Sequence, residues 1–465
     1  MMQDFIDDRK IEDILEKAAN PPPKRVMELI EKSKKLKGLT PEETALLLQT
    51  EDRELVEEIW KTAREIKEAI YGNRLVLFAP LYIANYCANN CLYCGFRRDN
   101  QELTRVALTM EQIANEVRIL EQEGHKRLLM LCGEHPNRSS LDYFIEAIET
   151  AYGVTTGKGG EIRRINVEIA PQTVDAFKRL KAARIGTYVL FQETYHHQTY
   201  QKMHPRGPKS DYLWRLTAMD RAMEGGINDV GIGALFGLYD YKFEVLGMLF
   251  HALHLEDKFG VGPHTISIPR LEPAFNAPAA IKPPRPVLDQ DFKKLVAVIR
   301  MAVPYTGMIL STRESAELRR DVLELGISQI SAGSRTNPGG YQEDSTENFR
   351  AAQFNLGDTR TLDEVILDIA QHNHIPSFCT ACYRLGRTGA DFMDLAKPGL
   401  IHKFCRTNAL LTFKEYLMDY ASPETREAGD RLVAELVEQT KPAGTKKSLL
   451  SRLKKIESGK RDLFI

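Results

Sequence analysis

Residues 74–96 read RLVLFAPLYIANYCANNCLYCGF. The first half is an apolar, aromatic and β-branched run of strand character, and it stops at Asn85. Three cysteines follow at once, Cys87, Cys91 and Cys94, in the spacing Cys-x3-Cys-x2-Cys. A strand that runs directly into a compact set of thiols puts them at its C-terminal end. In barrels of alternating strands and helices, that end carries the chemistry. The fold therefore turns on whether the rhythm repeats.

It does. The runs KRLLMLCGE, RINVEIAP, GTYVLFQET, NDVGIGALFG, HTISIPR, TGMILSTRE and ISQISAGS follow in order. Between them lie amphipathic stretches such as MEQIANEVRILEQEG, TVDAFKRLKAARIG and LDQDFKKLVAVIRMAVP. In the last of these Phe292, Leu295, Val296 and Ile299 share one helical face. Gly124, Gly186, Gly226 and Gly326 each precede a strand, which suits left-handed helix C-caps. Eight strands with seven intervening helices allow a doubly wound sheet or a closed barrel, and the count of eight favours an α/β fold of the (β/α)8 TIM type. Residues 1–73 read as a helical N-terminal extension, with Thr40, Pro41 and Glu43 forming an expected N-cap, first-turn proline and capping box. The barrel is expected over 74–345. After the polar stretch at 331–361, residues 346–465 read as a mostly helical C-terminal domain carrying the remaining cysteines.

Composition narrows the function classes. Lys and Arg number 63 against 64 Asp and Glu, a net charge of −1 that argues against electrostatic nucleic-acid binding. No run approaches the roughly 18 apolar residues of a membrane span. The opening MMQDFIDDRKIEDILEK is charged and lacks the apolar core of a signal peptide, so a cytoplasmic protein is expected. Six of the seven cysteines fall in two tight groups, which suggests metal rather than disulfides.

The front triplet can hold three irons of a 4Fe–4S cube and leave the fourth without a protein ligand, open for chemistry. The alternatives are a structural zinc site or three unrelated buried thiols. The late set, Cys379-x2-Cys382-x22-Cys405, has the same property. Its spacing leaves open a Cys3His zinc site completed by His402, His372 or His374. Cys132 is left over and reads as a small buried residue. Glu134, Glu168, Gln192, Glu193 and Arg313 all fall at or near C-terminal strand ends.

With Tyr93 before its third cysteine, the front triplet resembles the signature of the radical S-adenosylmethionine (SAM) superfamily. The resemblance implies a SAM-binding 4Fe–4S cluster, SAM chelated to the open iron, and reductive cleavage to a 5′-deoxyadenosyl radical that abstracts hydrogen. A reduced ferredoxin or flavodoxin is the implied electron donor. CGE at 132–134 resembles the motif that binds the SAM amino group, with Cys132 in place of the first Gly and Gly133 and Glu134 retained. Likeness to the family further implies Ile232 of VGIGALFG against adenine, Arg215 of SDYLWRL on the SAM carboxylate and Glu193 on the ribose, with Glu168 among the cofactor-binding residues.

VLFQETY, GPHTISIPRLEPA, LSTRES and SAGSRTNPGGY together resemble the aromatic amino-acid lyase branch of that superfamily. For tyrosine this implies scission of the Cα–Cβ bond to p-cresol and dehydroglycine. Such a reaction needs a guanidinium for the substrate carboxylate, because a bidentate fork fixes the amine beside the radical. Arg313 is the first choice and Arg335 the second; pairing with Glu314 is the competing role for Arg313. The late triplet resembles the hydrogenase-maturing members of the branch and is lacking in the thiamine-pathway enzyme. It implies an auxiliary 4Fe–4S cluster with a labile additional iron attached through a non-protein cysteine. There dehydroglycine would become CO and cyanide, yielding an Fe(CO)2CN synthon for FeFe-hydrogenase maturation, with other hydrogenase maturases as partners. His264, before strand six, is the expected nitrogen ligand of the extra iron, against a purely structural histidine. The rival readings are a 2-iminoacetate (dehydroglycine) synthase of thiamine biosynthesis and a non-catalytic iron–sulfur scaffold.

Overall fold

The computed structural model describes residues 3–157, 159–343 and 350–465. Nine strands form one parallel sheet: β1 Arg74–Ala84, β2 Arg127–Cys132, β3 Arg164–Glu168, β4 Tyr188–Glu193, β5 Val230–Ala234, β6 Thr265–Ser267, β7 Gly307–Leu310, β8 Gln329–Ser331 and β9 Ile375–Ser377. The first eight run in sequence order, and pairing of β1 with β2 closes them into the expected barrel. Helices follow the strands and cover the outside.

The ninth strand was not foreseen, and it explains the length of β1. Over its 11 residues β1 pairs with β9 through Arg74–Val76, with β8 through Val76–Phe78, and with β2 through Ala79–Ala84. Val76 pairs with both β8 and β9, so β9 occupies the edge that β2 takes higher up. The C-terminal region is mostly helical, as expected, yet it enters the barrel's own sheet through this strand. The boundary expected between 345 and 346 lies outside the described residues.

Of the N-terminal helices, α1 Asp8–Lys17, α3 Pro41–Gln49 and α4 Arg53–Tyr71 pack on the barrel helices Tyr241–Phe259 and Asp289–Ala302, and α2 Pro23–Ser33 packs on α3 and α4. The capping box forms as expected: Glu43 N donates to Thr40 Oγ1 at 3.3 Å and Thr40 N to Glu43 Oε2 at 3.1 Å. Three of the four C-cap glycines have positive φ; Gly186 does not. The left-handed residue after helix Val174–Ala182 is Arg184. Gly186 is required for another reason: a Cβ there would lie 2.2 Å from Asn166 Oδ1.

The C-terminal region caps the N-terminal face of the barrel. β9 packs on the helix His402–Asp419, where Phe378 N donates to Thr412 Oγ1. Residues at the starts of strands reach into this cap: Lys126 Nζ lies 3.0 Å from Tyr420 Oη, and Arg127 Nη1 donates to Cys379 O at 2.9 Å. Arg163, 4% exposed, pairs with Glu415, 5% exposed, at 2.6 Å. A desolvated pair is costly unless both partners are in place, so it specifies the docking more than it adds stability. No helix among the described residues is long and apolar enough to cross a membrane.

Candidate functional site

The closed sheet opens into a cavity at the C-terminal strand ends. All eight barrel strands or the loops just after them contribute to it, among them Tyr82, Cys132, Glu168, Phe191, Leu235, Ser267, Ile309 and Ser331. Cys87, Cys91 and Cys94 enter it from the loop after β1. That loop is held from several sides. Leu92 N donates to Met203 O, Gly95 N to Gln353 O, and Asn100 Nδ2 to Gly95 O. Tyr93, the aromatic before the third cysteine, is buried and places its hydroxyl 2.7 Å from His204 Nε2.

The donor chemistry fits an iron–sulfur cluster. All seven cysteines are free. Burial, with the charge of the neighbouring sulfurs, pushes the Cys91 thiol up to about 12 and Cys94 to about 11. Buried thiols crowded together hold negative charge only against a cation, and a bound metal supplies one. Among the described residues no three Cys, His, Asp or Glu side chains converge on a point for a single ion.

Beside the cluster loop, Glu134 takes a hydrogen bond from Asn89 Nδ2 at 2.5 Å, while Asn89 Oδ1 accepts from Lys209 N at 2.8 Å. Gly133 is glycine because the loop passes so close: a Cβ would sit 2.4 Å from Tyr86 O and 3.3 Å from Cys87 Cβ. Gly133→Ala is thus expected to push the cysteine loop off the end of β2. Reconstituted cluster content and SAM affinity should both fall at least about tenfold, in line with a backbone clash that cannot relax locally. Iron content and equilibrium dialysis with SAM would measure this.

Glu193 is the centre of an ion triad. Lys209 Nζ approaches it at 2.5 Å and Arg215 Nη2 at 3.2 Å, and Arg215 Nε donates to Phe191 O. Burial works to raise the Glu193 carboxyl, but the two cations outweigh it and hold it below the usual range. Its φ of +73° is strained for a side chain of this size, as is common where a fold aims a functional group. Lys209 was missed at the level of sequence; the only hint is its place in the polar loop PRGPKSDY after a strand end.

Arg313 lines the cavity with its guanidinium 3.3 Å from the centroid of the Phe354 ring. Glu314 is not its partner. That carboxylate is taken by Arg270, whose Nε lies 3.0 Å away. Two expected residues do not reach the cavity. Ile232 is fully buried in the main core and faces outward, because Gly231 and Gly233 take the inward positions of β5. A Cβ on Gly233 would strike the Phe191 ring at 2.7 Å, so the barrel needs the glycines inside. Leu235 is the residue of this segment on the cavity. Arg335 turns away, over the Tyr341 ring at 5.8 Å, and its neighbour Thr336 lines the cavity instead.

A second pocket lies at the opposite end of the barrel. Arg74, Arg127, Gly307 and Gln329, the first residues of β1, β2, β7 and β8, line it together with Cys379, Cys382 and Cys405. No residue lines both pockets. Cys379 follows β9, Cys382 lies in the short helix Ala381–Arg384, and Cys405 in the first turn of His402–Asp419. His264 is the histidine on this pocket; its Nδ1 faces Asp229 Oδ1 at 3.5 Å and its Nε2 lies 3.4 Å from Tyr383 Oη. Nδ1 makes no hydrogen bond, so Asp229 stands near the ring rather than bonded to it, and Nε2 is the nitrogen that meets a pocket-lining side chain. Burial lowers the His264 pKa, which favours the neutral ring that a ligand requires. The other candidates, His402, His372 and His374, do not line this pocket; their Nδ1 atoms meet Gly399 O, Asp368 O and His372 O. Three arginines, Arg74, Arg127 and Arg387, surround the sulfurs and carry buried guanidinium nitrogens without hydrogen-bond partners. Unpaired buried cations around three thiols suit an anionic thiolate assembly.

Residues 81–249 match the radical SAM superfamily and residues 267–375 the biotin and thiamin synthesis associated domain. Cys379, Cys382 and Cys405 lie beyond both matches. The chain is 30% identical to the 2-iminoacetate synthase of Escherichia coli (strain K12) over 337 residues, 72% of this chain and 86% of that one. Among solved structures it resembles HydG, described as a maturase of the [FeFe]-hydrogenase, at 55% identity and a TM-score of 0.96 over the whole of both chains. HydG from Carboxydothermus hydrogenoformans matches at 41% identity and a TM-score of 0.85, covering 97% of this chain and 99% of that chain.

Proposed function

This chain belongs to the radical SAM superfamily, and from that premise we propose that it is a tyrosine lyase of the HydG kind. The reaction is cleavage of the Cα–Cβ bond of L-tyrosine to p-cresol and dehydroglycine, with the second fragment converted to CO and cyanide for FeFe-hydrogenase assembly. The observation that carries this reading is the two-ended barrel: a second cysteine triplet, with His264, closes a separate pocket at the face opposite the SAM site.

Cys87, Cys91 and Cys94 would hold the SAM-binding cube, and Cys379, Cys382 and Cys405 the auxiliary one. When bound, the first cube and SAM supply a 5′-deoxyadenosyl radical, and the auxiliary cluster with its extra iron supplies the site for the small products. Glu134, fixed by Asn89, and the backbone at Gly133 meet the methionyl ammonium of SAM. Arg215, with Lys209 beside it on Glu193, would meet its carboxylate, and Glu193 its ribose. Arg313 grips the tyrosine carboxylate, and the barrel wall excludes water from the radical. His264, backed by Asp229, offers Nε2 to the extra iron alongside a non-protein cysteine. A reduced ferredoxin or flavodoxin is the proposed electron donor and other hydrogenase maturases the proposed partners.

Anaerobic incubation with tyrosine, SAM and dithionite should yield p-cresol, cyanide and CO. Formation of p-cresol with no CO trapped would favour the reading as a 2-iminoacetate synthase, toward which the 30% match leans. Fully loaded protein is expected to carry about nine irons, two cubes and one further ion, and His264→Ala about eight. An iron count unchanged by the substitution would remove His264 from the site.

A further inference from the structure

The cavity at the C-terminal strand ends is lined by three carboxylates, Glu134, Glu168 and Glu193, and three cations, Lys209, Arg215 and Arg313. Glu193 is shared by Lys209 and Arg215, and Glu134 is engaged by Asn89. That leaves Glu168 and Arg313, whose side chains have neither a hydrogen bond nor an ion pair among the described residues. Glu168 ends β3 and Arg313 follows β7, four strands apart in an eight-stranded barrel and so on opposite walls. A lone carboxylate facing a lone guanidinium across a cavity is complementary to a zwitterionic α-amino acid. On the reading above, the ion triad and Glu134 serve SAM, whose methionyl end is one such group. Glu168 and Arg313 remain for a second.

We propose that Glu168 belongs to the substrate rather than to the cofactor, and that it is the catalytic base that takes the ammonium proton of the bound amino acid before hydrogen abstraction. The assignment rests on the lyase reading above. In the step, one N–H bond of the ammonium breaks heterolytically, the electron pair stays on nitrogen, and the proton passes to a Glu168 carboxylate oxygen. The resulting neutral amine has a lone pair that stabilises a nitrogen-centred radical, whereas an ammonium has none. Burial first, and then the charge of Glu193, raise the Glu168 carboxyl to about 7, against the opposing pull of Arg215, Lys209 and Arg313. Tyr82 also faces it. A base near 7 and an α-amino group of about 8 or above are matched closely enough for facile transfer.

The test compares wild-type holoenzyme and Glu168→Gln from pH 6 to pH 10, scoring p-cresol per 5′-deoxyadenosine. Wild-type kcat/KM should fall as pH drops below about 7, where the carboxylate becomes protonated. The variant should be about 10- to 100-fold slower at pH 7 and recover to within about threefold at pH 10, where solvent strips the ammonium proton. A deficit equal at every pH, or no deficit, overturns the proposal. A second measurement is independent of turnover: binding of L-tyrosine and of 3-(4-hydroxyphenyl)propanoate, which lacks the amine. Wild type should prefer tyrosine at least about tenfold and the variant less than about threefold; loss of affinity for both ligands alike counts against Glu168. If wild type forms no p-cresol at any pH, the lyase reading fails, and the binding comparison alone decides whether Glu168 holds an amine.

Discussion

Arg313→Ala is expected to abolish p-cresol formation while the absorbance of the front cluster stays intact. The guanidinium projects into the cavity from the loop after β7, stacked on Phe354, and Glu314 is already committed to Arg270. Its charge is therefore available to a ligand. Truncating one partner of a desolvated charge pair costs about 2–5 kcal/mol, and at about 1.4 kcal/mol per decade that is between one and four decades in kcat/KM. The upper half is expected here. Without the fork the amine loses its register with the radical as well as its affinity, and small misplacements cost about a hundredfold by themselves. Burial lowers the pKa of Arg313, while Tyr82, Glu193, Glu272 and Glu168 oppose that. Removing the cation should leave those acids more easily protonated and shift the acidic limb of any residual activity to higher pH. Arg313→Lys keeps a point charge but loses the planar fork, so partial activity is expected from it. Normal turnover in Arg313→Ala would end the assignment.

Replacing Cys379, Cys382 and Cys405 together by Ala should separate the two halves of the reaction. CO is expected to fall below about 1% of wild type, with p-cresol retained within about threefold and about four irons left per chain. The physical basis is that the two cysteine sets line separate pockets with no lining residue in common, although along β1 Val76 lines one and Phe78 the other. Mutational effects usually add for sites without shared partners. The cap would survive the change, since its docking depends on β9, the Arg163–Glu415 pair and the helix His402–Asp419, not on sulfur alone. Coupled loss of p-cresol and CO would mean that the auxiliary site takes part in the lyase step itself.

Residue patterns carried much of the site. Each strand run was legible from its apolar residues, and each triplet from its spacing, because ligands close in sequence need no knowledge of the fold. Arg313, Glu134 and Glu193 were legible by position, since strand ends converge in any closed barrel. Ile232 was not. In a strand of period two, one residue of register decides inside from outside, and VGIGA reads equally well either way until the Phe191 ring is known to need the space at Gly233. Arg335 failed for a similar reason: a turn after β8 sets its direction, and nothing local reports that turn.

The sequence by itself determined the barrel, the two cysteine sets and the superfamily, since these depend on periodicity and on spacings of at most a few tens of residues. Only the tertiary structure decided that the second set lies beneath the barrel, reached by β9 and ringed by Arg74, Arg127 and Arg387, and that Lys209 completes the Glu193 triad. Those relations join residues tens to hundreds of positions apart. The closing of the sheet, with side chains from both ends of the chain brought against one strand, creates them.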